Sequence, residues 1–178
     1  MASELQNQSP LVAVVMGSDS DLSTLQPAIQ ILKKFNIGVE VRILSAHRTP
    51  AEMFHFAQNA KDKGFKIIIA GAGGAAHLPG MVASLSTIPV IGVPIQSKAL
   101  SGVDSLHSIV QMPNGIPVAT VAIGGGLNAG LLAAQILAIE DQRLETQVSN
   151  YRKDLHNKVI SKDKKLIELG VDDYLHSM

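Results

Sequence analysis

Cysteine and tryptophan are absent from this chain of 178 residues, and tyrosine occurs only twice. Without cysteine there is no disulfide framework, no thiol nucleophile and no cysteine-ligated zinc or iron–sulfur site. Both tyrosines lie in the C-terminal tail, so the aromatic residues that commonly stack on a flavin are missing from the rest of the chain. The chemistry must therefore come from histidine, aspartate, serine, arginine, lysine or the backbone.

Charge is scarce in the middle of the chain. Fifteen basic residues balance fifteen acidic ones, so no net field favours nucleic acid or an anionic membrane as a partner. Between Ile67 and Ile139 the only charged residues are Lys98 and Asp104. This stretch predicts buried strands and helices, in a domain that hides further surface against copies of itself.

The segment from Ile116 to Ile139 is long enough to span a bilayer. Three consecutive glycines interrupt it, however, and Asn128 and Gln135 would need polar partners there. A buried strand followed by a buried helix is the preferred interpretation. The first ten residues have neither the basic nor the apolar region of a secretory signal, so we expect a cytoplasmic protein.

Short runs rich in valine and isoleucine alternate with segments of helical spacing. The predicted strands are Leu11–Met16, Val39–Leu44, Phe65–Ala70, Ile88–Val93 and Pro117–Ile123, and the predicted helices are Leu22–Phe35, Ala51–Lys63, Ala75–Leu85, Val103–Met112 and Leu127–Arg143. The strand runs are almost continuously apolar, which is typical of strands buried on both faces of a parallel sheet.

This alternation predicts a three-layer α/β/α domain of flavodoxin-like type with strand order 2-1-3-4-5. We expect one domain over residues 1–178, with a core at about 11–144 and a helical extension at about 145–178 that carries much of the charge. In such folds a ligand binds beyond the carboxyl ends of the strands, where the order switches between strands 1 and 3. The loops after strands 1, 2 and 3 are therefore the candidate site.

The loop after strand 1 consists of Gly17, Ser18, Asp19, Ser20 and Asp21. A small polar turn at a helix N-terminus offers free N–H groups and the positive end of the helix dipole, which suits a phosphate. Serine and aspartate are also favoured helix caps, so part of this run can be structural. Because two aspartates would repel a phosphate, at least one of them is expected to receive ribose hydroxyls.

The loop after strand 2 contains Ser45, His47 and Arg48, followed by Thr49 and Pro50. Pro50 suits the first turn of the next helix, and Thr49 is its predicted N-cap. Arginine grips phosphate through a planar fork, and histidine exchanges protons near neutral pH. The other interpretation of these three residues is an ordinary solvated loop.

The loop after strand 3, from Ala70 to Gly80, consists mostly of glycine and alanine with His77 among them. Small residues let the backbone approach a ligand closely and offer N–H donors to a carboxylate or phosphate. The loop also matches a dinucleotide-binding pattern formally, but no acidic residue follows at the required distance. His77 by itself could equally be a loop histidine without a chemical role.

Other reactive residues carry weaker signals. Lys98 could be a desolvated amine, although a loop lysine that reaches water is the simpler interpretation. The remaining histidines, His55, His107, His156 and His176, do not have the spacing of metal ligands. We therefore do not expect a metal site.

Four motifs in this order resemble those of the class I N5-carboxyaminoimidazole ribonucleotide mutases, the PurE family, over about Leu11 to Ala138. They are MGSDSD (Met16–Asp21), SAHRTP (Ser45–Pro50), AGAGGAAHLPGM (Ala70–Met81) and LSGVDSLHSIVQMPNGIPVATVAIG (Leu100–Gly124). The resemblance implies an α/β/α fold, a homo-octamer, and a small phosphorylated ribonucleotide of de novo purine biosynthesis as substrate. It also implies that a carboxylate moves from a nitrogen of this substrate to its ring carbon C4, a reaction that needs no organic cofactor.

The resemblance also implies roles for individual residues. Ser18, Asp21 and Arg48 would bind the phosphate and ribose, His47 would transfer protons, and the loop from Ala70 to Leu78 would surround the migrating carboxylate. The predicted catalytic residues are His47 and His77, and the predicted substrate-binding residues are Ser18, Asp21, Ser45, Arg48, Gly71, Ala72, Gly73, Gly74 and Leu78.

Three alternatives stay open. The related class that carboxylates aminoimidazole ribonucleotide directly with CO2 usually has lysine after the motif histidine, so Arg48 favours the mutase. The fold also hosts nucleotide- or flavin-binding modules, and a purely structural oligomer would leave Ser45, His47 and Arg48 unexplained. One departure from the family is a loop between Gly124 and Asn128 that is shorter than expected.

Overall fold

A computed structural model describes residues 9–178. Residues 1–8, most of the stretch from which the lack of a secretory signal is predicted, lie outside the described residues. The strands are β1 (Val12–Met16), β2 (Val39–Ile43), β3 (Ile67–Gly73), β4 (Val90–Ile95) and β5 (Ala119–Thr120). The helices are α1 (Leu22–Lys34), α2 (Pro50–Asn59), α3 (Leu78–Leu85), α4 (Val103–Val110), α5 (Gly126–Ala138) and α6 (Gln142–His176), with a 3-10 turn at Asp19–Asp21.

The five strands form one parallel sheet in the order β2-β1-β3-β4-β5, which confirms the predicted topology. Val12 of β1 lies opposite Val39 on one side and Ile67 on the other. Successive side chains of a strand point to opposite faces, yet every residue of β1 and of β4 is buried. Both faces of the sheet centre are therefore covered, which explains why these strands are continuously apolar.

The helices that cover the sheet supply the rest of the core. Met53 and Phe56 of α2 and Val82 of α3 join one buried cluster with Val15 and Ile68 of the sheet. Helices α1 and α5 pack so closely that a Cβ added at Gly130 would lie 2.6 Å from Ile31 Cγ2. These contacts agree with the predicted α/β/α class.

The two edge strands differ from the prediction that all strands are buried on both faces. Val41 and Ile43 of β2 are 38% and 56% exposed, because an edge strand has a neighbour on one side only. The fifth strand is two residues long, whereas Pro117–Ile123 was expected. Beyond it the pairing with β4 is irregular: the N–H groups of Val121 and Gly124 still donate to the Gly92 and Pro94 carbonyls, at 3.1 and 2.9 Å, while the Gly125 N–H turns back to Ala122 O at 2.8 Å.

The predicted helix Leu127–Arg143 is wrong at its C-terminal end. α5 ends at Ala138, and Asp141 caps a new helix by accepting hydrogen bonds from the N–H groups of Arg143 and Leu144. A side-chain carboxylate that satisfies these donors starts a helix instead of continuing one. Helix α6 is interrupted at Gly170, where φ is 72°.

The chain divides into two compact units, one that ends at Leu137 and one from Ala138 to Met178. The first contains the sheet and all the loops at the carboxyl ends of its strands. The second is formed mainly by α6. Among the described residues, no helix combines the length and the apolar character that crossing a membrane requires.

Candidate active site

A cavity of about 490 Å³ lies at the carboxyl ends of β1 to β4. Its walls come from four segments, at residues 17–21, 45–48, 72–78 and 95–98, each of which is a loop or the end of a strand with the loop that follows it. The first three are the loops that the sequence predicts, because the carboxyl ends of neighbouring parallel strands meet at one edge of the sheet. Of the predicted residues, Ser18, Asp21, Ser45, His47, Arg48, Ala72, Gly73, Gly74, His77 and Leu78 line the cavity.

Gly71 is the predicted site residue that the structure does not bring to the cavity wall. It is buried within β3, where a Cβ would lie 2.9 Å from Leu25 Cδ1. Its carbonyl oxygen accepts a hydrogen bond from the Gly17 N–H at 3.4 Å. The small size of Gly71 therefore lets helix α1 pack against the sheet beside the site.

The loop after β1 is held by its own side chains. The Ser18 N–H donates to Asp21 Oδ2 at 3.1 Å, and the Ser20 N–H donates to Ser18 Oγ at 3.4 Å. Ser18 and Asp21 form a capping box. The capping role of this run is thus confirmed, and it belongs to the 3-10 turn that precedes α1. Ser18 and Asp21 line the cavity as well.

Asp21 is a buried residue at the N-terminal end of helix α1, with 7% of its surface exposed. Burial raises its pKa above the usual 3.8, while hydrogen bonds from the Ser18 N–H, the Ser20 hydroxyl and the Gly17 N–H, and the charge of Arg48, oppose this rise. Desolvation is the largest of these effects. A partly desolvated carboxylate is a strong acceptor for ligand hydroxyl groups.

Arg48 ties the first loop to the second. Its Nη2 donates to the Gly17 carbonyl at 2.6 Å, and its Nε donates to Ser45 Oγ at 3.3 Å. Ser45 Oγ also accepts from the Arg48 backbone N–H at 3.1 Å. Because Ser45 is buried, it fixes the position of the guanidinium, whose remaining N–H groups can meet an anion.

Thr49 occupies the N-cap position of helix α2, as predicted, but its side chain makes no capping hydrogen bond. Its hydroxyl instead bonds back to Ser45, accepting from the N–H at 2.9 Å and donating to the carbonyl at 3.2 Å. A threonine hydroxyl that is engaged by the preceding turn cannot reach the helix N-terminus. Pro50 begins α2, as predicted.

The two predicted catalytic histidines are in contact. His47 Nε2 and His77 Nδ1 are 2.8 Å apart, and the rings meet edge to face with an interplanar angle of 82°. One nitrogen of this pair carries the hydrogen and the other accepts it. Both side chains are exposed to the cavity, so their outer nitrogens, His47 Nδ1 and His77 Nε2, are open to a ligand.

The glycine-rich loop after β3 leads from the sheet to helix α3. Gly74 has φ of 67°, a conformation that side chains rarely adopt, and its N–H donates to Ser105 Oγ at 2.9 Å. This donor is therefore not free for a ligand. In the described chain the N–H of Ala75, which lines the cavity, has no hydrogen-bond partner.

Sequence reasoning missed the fourth wall, at residues 95–98 after β4. The predicted strand order contains the missing signal, because β4 lies next to β3 and so its carboxyl end reaches the same edge. Lys98 is exposed there, and it and Arg48 are the two cations among the lining residues. Within residues 9–178, no group of His, Asp or Glu side chains is arranged to hold a metal ion.

Residues 11–158 match the AIR carboxylase family, and the chain belongs to this family. It is 58% identical over 171 residues to the N5-carboxyaminoimidazole ribonucleotide mutase of Synechocystis, a match that covers 96% of this chain and 97% of the relative. It is 54% identical over 168 residues to the phosphoribosylaminoimidazole carboxylase of Candida albicans, covering 94% of this chain and 30% of that longer protein.

The fold is similar to a solved structure from the same group. The crystal structure of Treponema denticola PurE superimposes with a TM-score of 0.81 at 32% identity, covering 88% of this chain and 98% of that one. This chain therefore shares the fold of that structure, and its own five-stranded parallel sheet with flanking helices is the architecture predicted from the sequence.

Proposed function

We propose that this chain is an isomerase that converts N5-carboxyaminoimidazole ribonucleotide to 4-carboxy-5-aminoimidazole ribonucleotide, a step of de novo purine biosynthesis. The observation that carries the proposal is the 2.8 Å contact between His47 and His77, in a cavity that also holds Arg48 and a glycine-rich loop. The names of relatives similar over nearly the whole chain support it.

The phosphate and ribose bind between the first two loops. Arg48 is the anchored cation of this part of the cavity, and Ser18 lies at the start of the turn that leads into α1. An arginine fork and a helix N-terminus together suit a phosphate. Asp21, which is desolvated and would repel phosphate, receives ribose hydroxyls instead.

The migrating carboxylate lies against the third loop. Ala72, Gly73 and Leu78 give this wall a small and mostly apolar surface, and the free N–H of Ala75 offers one donor. An apolar wall with few donors can hold neutral CO2 after it leaves nitrogen, and a backbone donor stabilises carboxylate charge when it forms again.

The reaction is a transfer within one bound substrate. The N–COO⁻ bond breaks, its electron pair stays on nitrogen, and the nitrogen takes one proton from the enzyme, which gives CO2 and aminoimidazole ribonucleotide. Carbon C4 then attacks the same CO2 molecule, and the proton on C4 returns to the enzyme. Atoms, electrons and protons balance, and holding CO2 beside its acceptor supplies much of the acceleration.

The histidine pair supplies and recovers the proton. Only one hydrogen fits between His47 Nε2 and His77 Nδ1, so a proton taken up at the outer nitrogen of one ring can be matched by release from the other. His47 is the group that exchanges protons with the substrate, and His77 fixes its tautomer. General acid–base catalysis of this kind contributes about 10²- to 10⁴-fold in rate.

The test is conversion of N5-carboxyaminoimidazole ribonucleotide by the purified protein, in parallel with aminoimidazole ribonucleotide plus labelled bicarbonate. A mutase converts the first substrate rapidly and incorporates little label. Activity with the second substrate alone would make the chain a carboxylase, the activity in the name of the Candida albicans relative. Activity with neither would refute the proposal.

The role of His47 has its own test. His47→Asn should lower kcat by roughly 10²-fold or more while nucleotide binding persists. His55→Asn is the matched control, because His55 is exposed on α2 and does not line the cavity. Equal kcat in the two variants would show that His47 does not transfer the proton.

The chain acts as a homo-octamer in the cytoplasm under this proposal. Support comes from exposed apolar side chains in the charge-poor region, among them Leu100, Val103 and Val110, since such residues are commonly covered by another subunit. Sedimentation at micromolar concentration should give eight times the chain mass of 18.8 kDa. A monomer at that concentration would contradict the assembly.

A further inference from the structure

Ser105 is the most deeply buried polar side chain of the described chain, with no exposed surface. It lies near the start of α4, within the family motif after strand 4, and it does not line the cavity. Its hydroxyl donates to the Ile95 carbonyl at 2.7 Å and accepts from the Gly74 N–H at 2.9 Å. One hydroxyl thus joins two walls of the cavity, the end of β4 and the glycine-rich loop.

A second serine holds the same glycine from the other side. Ser108 Oγ, one helical turn further on, lies 3.3 Å from the Gly74 carbonyl and also donates to the Asp104 carbonyl at 2.7 Å. Both peptide groups of Gly74 are therefore tied to α4. This anchoring holds a residue whose φ of 67° is otherwise easily lost to other conformations.

The position of α4 is in turn fixed against the loop after β4. Ser97 Oγ donates to Asp104 Oδ1 at 2.7 Å and accepts from the N–H groups of Leu100 and Gly102, both at 3.2 Å. The helix start and the 95–98 wall thus form one hydrogen-bonded block. Ser105 transfers the rigidity of this block to Gly74.

The consequences reach the histidine pair and the carboxylate wall. Gly74 directly follows Gly73 of the cavity wall and lies three residues before His77. Displacement of Gly74 therefore moves both the wall that faces the carboxylate and the ring that contacts His47 at 2.8 Å. A displacement of about 1 Å at a reacting centre can cost on the order of 100-fold in rate.

We infer that Ser105 is a positioning residue. By fixing the glycine-rich loop in place, it keeps the cavity closed around CO2, so that CO2 released from nitrogen is recaptured at C4 instead of diffusing away. The inference rests on the proposed mutase reaction. When the loop is loose, the N–C bond still breaks, but CO2 diffuses away and aminoimidazole ribonucleotide accumulates in equal amount. The partition between the two products reports the position of the loop.

The experiment compares Ser105→Ala with the unaltered enzyme, using N5-carboxyaminoimidazole ribonucleotide. We expect kcat to fall about 10- to 100-fold with KM changed by less than roughly 3-fold, and the fraction of turnovers that end in aminoimidazole ribonucleotide to rise several-fold. Ser84→Ala is the matched control, since Ser84 is an exposed residue of α3 and its hydroxyl bonds only the Met81 carbonyl of the same helix. Its kcat and partition should equal those of the unaltered enzyme.

A folded Ser105→Ala enzyme with unaltered partition would overturn the inference, even if its thermal stability fell. If this variant does not fold, Ser108→Ala replaces it. The only contact with Gly74 that it removes is the longer one at 3.3 Å, since the other bond of the Ser108 hydroxyl goes to the Asp104 carbonyl of α4 itself, so it should raise the released fraction to a smaller extent. An unaltered partition in that variant would overturn the inference equally. Failure of the unaltered enzyme to convert the substrate is a different result, and it would refute the proposed function itself.

Discussion

Replacement of Arg48 by lysine tests the proposal that Arg48 binds the phosphate of the substrate. Arg48 makes two side-chain hydrogen bonds within the protein, from Nη2 to the Gly17 carbonyl and from Nε to Ser45 Oγ. Its other N–H groups are left for a ligand. Lysine keeps the charge, but a single ammonium group cannot bond Gly17, Ser45 and a phosphate at fixed positions together.

The expected magnitude follows from the hydrogen bonds that are lost. A hydrogen bond to a charged group contributes about 1.5–3 kcal/mol, and the lower half of this range applies because the Arg48 side chain is exposed. A loss of about 1.5–2 kcal/mol corresponds to an increase in KM of roughly 10- to 30-fold. Since the phosphate does not change during the reaction, kcat should stay within roughly 3-fold of the unaltered value.

Steady-state kinetics of Arg48→Lys measures both constants, and Arg42→Lys is the matched control. Arg42 is an exposed arginine of β2 that pairs with Glu40 at 3.3 Å and lies outside the cavity, so its replacement should leave KM unchanged. A lowered kcat with unchanged KM in Arg48→Lys would refute the reasoning, because it would place Arg48 at the reacting atoms instead of at the phosphate.

Three further predictions concern stability. Gly130→Ala should lower the free energy of unfolding by about 1–2 kcal/mol in urea denaturation, because a Cβ 2.6 Å from Ile31 Cγ2 outweighs the better helix propensity of alanine; a gain in stability would contradict the close packing of α1 and α5. Burial raises the pKa of Asp21, so this group stabilises the folded state fully below pH 3.8, and that stabilisation is lost as pH rises through the raised pKa. The difference in melting temperature between Asp21→Asn and the unaltered protein should therefore favour the variant more at pH 7 than at pH 4. The Leu144 N–H lowers the pKa of Asp141, so the sign reverses: Asp141→Asn should lose stability at pH 7, and this loss should shrink as pH falls below 3.8. The same pH trend in both aspartate variants would refute the assigned causes.

Most of the fold follows from patterns within short stretches of sequence. Apolar runs of strand length, separated by helical segments, predict the parallel sheet and its order. The prediction works because crossover connections between parallel strands are almost always right-handed, and strands consecutive in sequence are usually neighbours in the sheet. The same rules place Ser18, His47 and Gly73 at one edge of the sheet. The exposure of the edge strands is harder to predict. An apolar residue such as Ile43 occurs both in strands with one face of the sheet covered and in strands with both faces covered, so its identity does not tell the two cases apart.

The details of the site depend on contacts that no local pattern contains. His47 and His77 were both predicted, but their 2.8 Å contact depends on two side-chain conformations in loops thirty residues apart. The N-cap position of Thr49 follows from the sequence, but the bonding of its hydroxyl to Ser45 instead of to the helix does not. Gly71 was assigned to ligand binding, whereas its small size serves packing against Leu25.

At this site, uncharged serine side chains hold the loops in place, which is consistent with the scarcity of charge in the sequence. Loops at the ends of buried strands leave backbone groups that need partners, and here small hydroxyls supply them: Ser18 in the first loop, Ser45 in the second, and Ser97 and Ser105 around α4. A serine satisfies such groups without adding a charge that would compete for the ligand. The charge of Arg48 interacts with that of Asp21, and burial disfavours the charged form of Asp21. An anionic substrate therefore meets a cation whose attraction has not been neutralised by an ion pair, in a frame rigid enough to hold the reacting carboxylate in place.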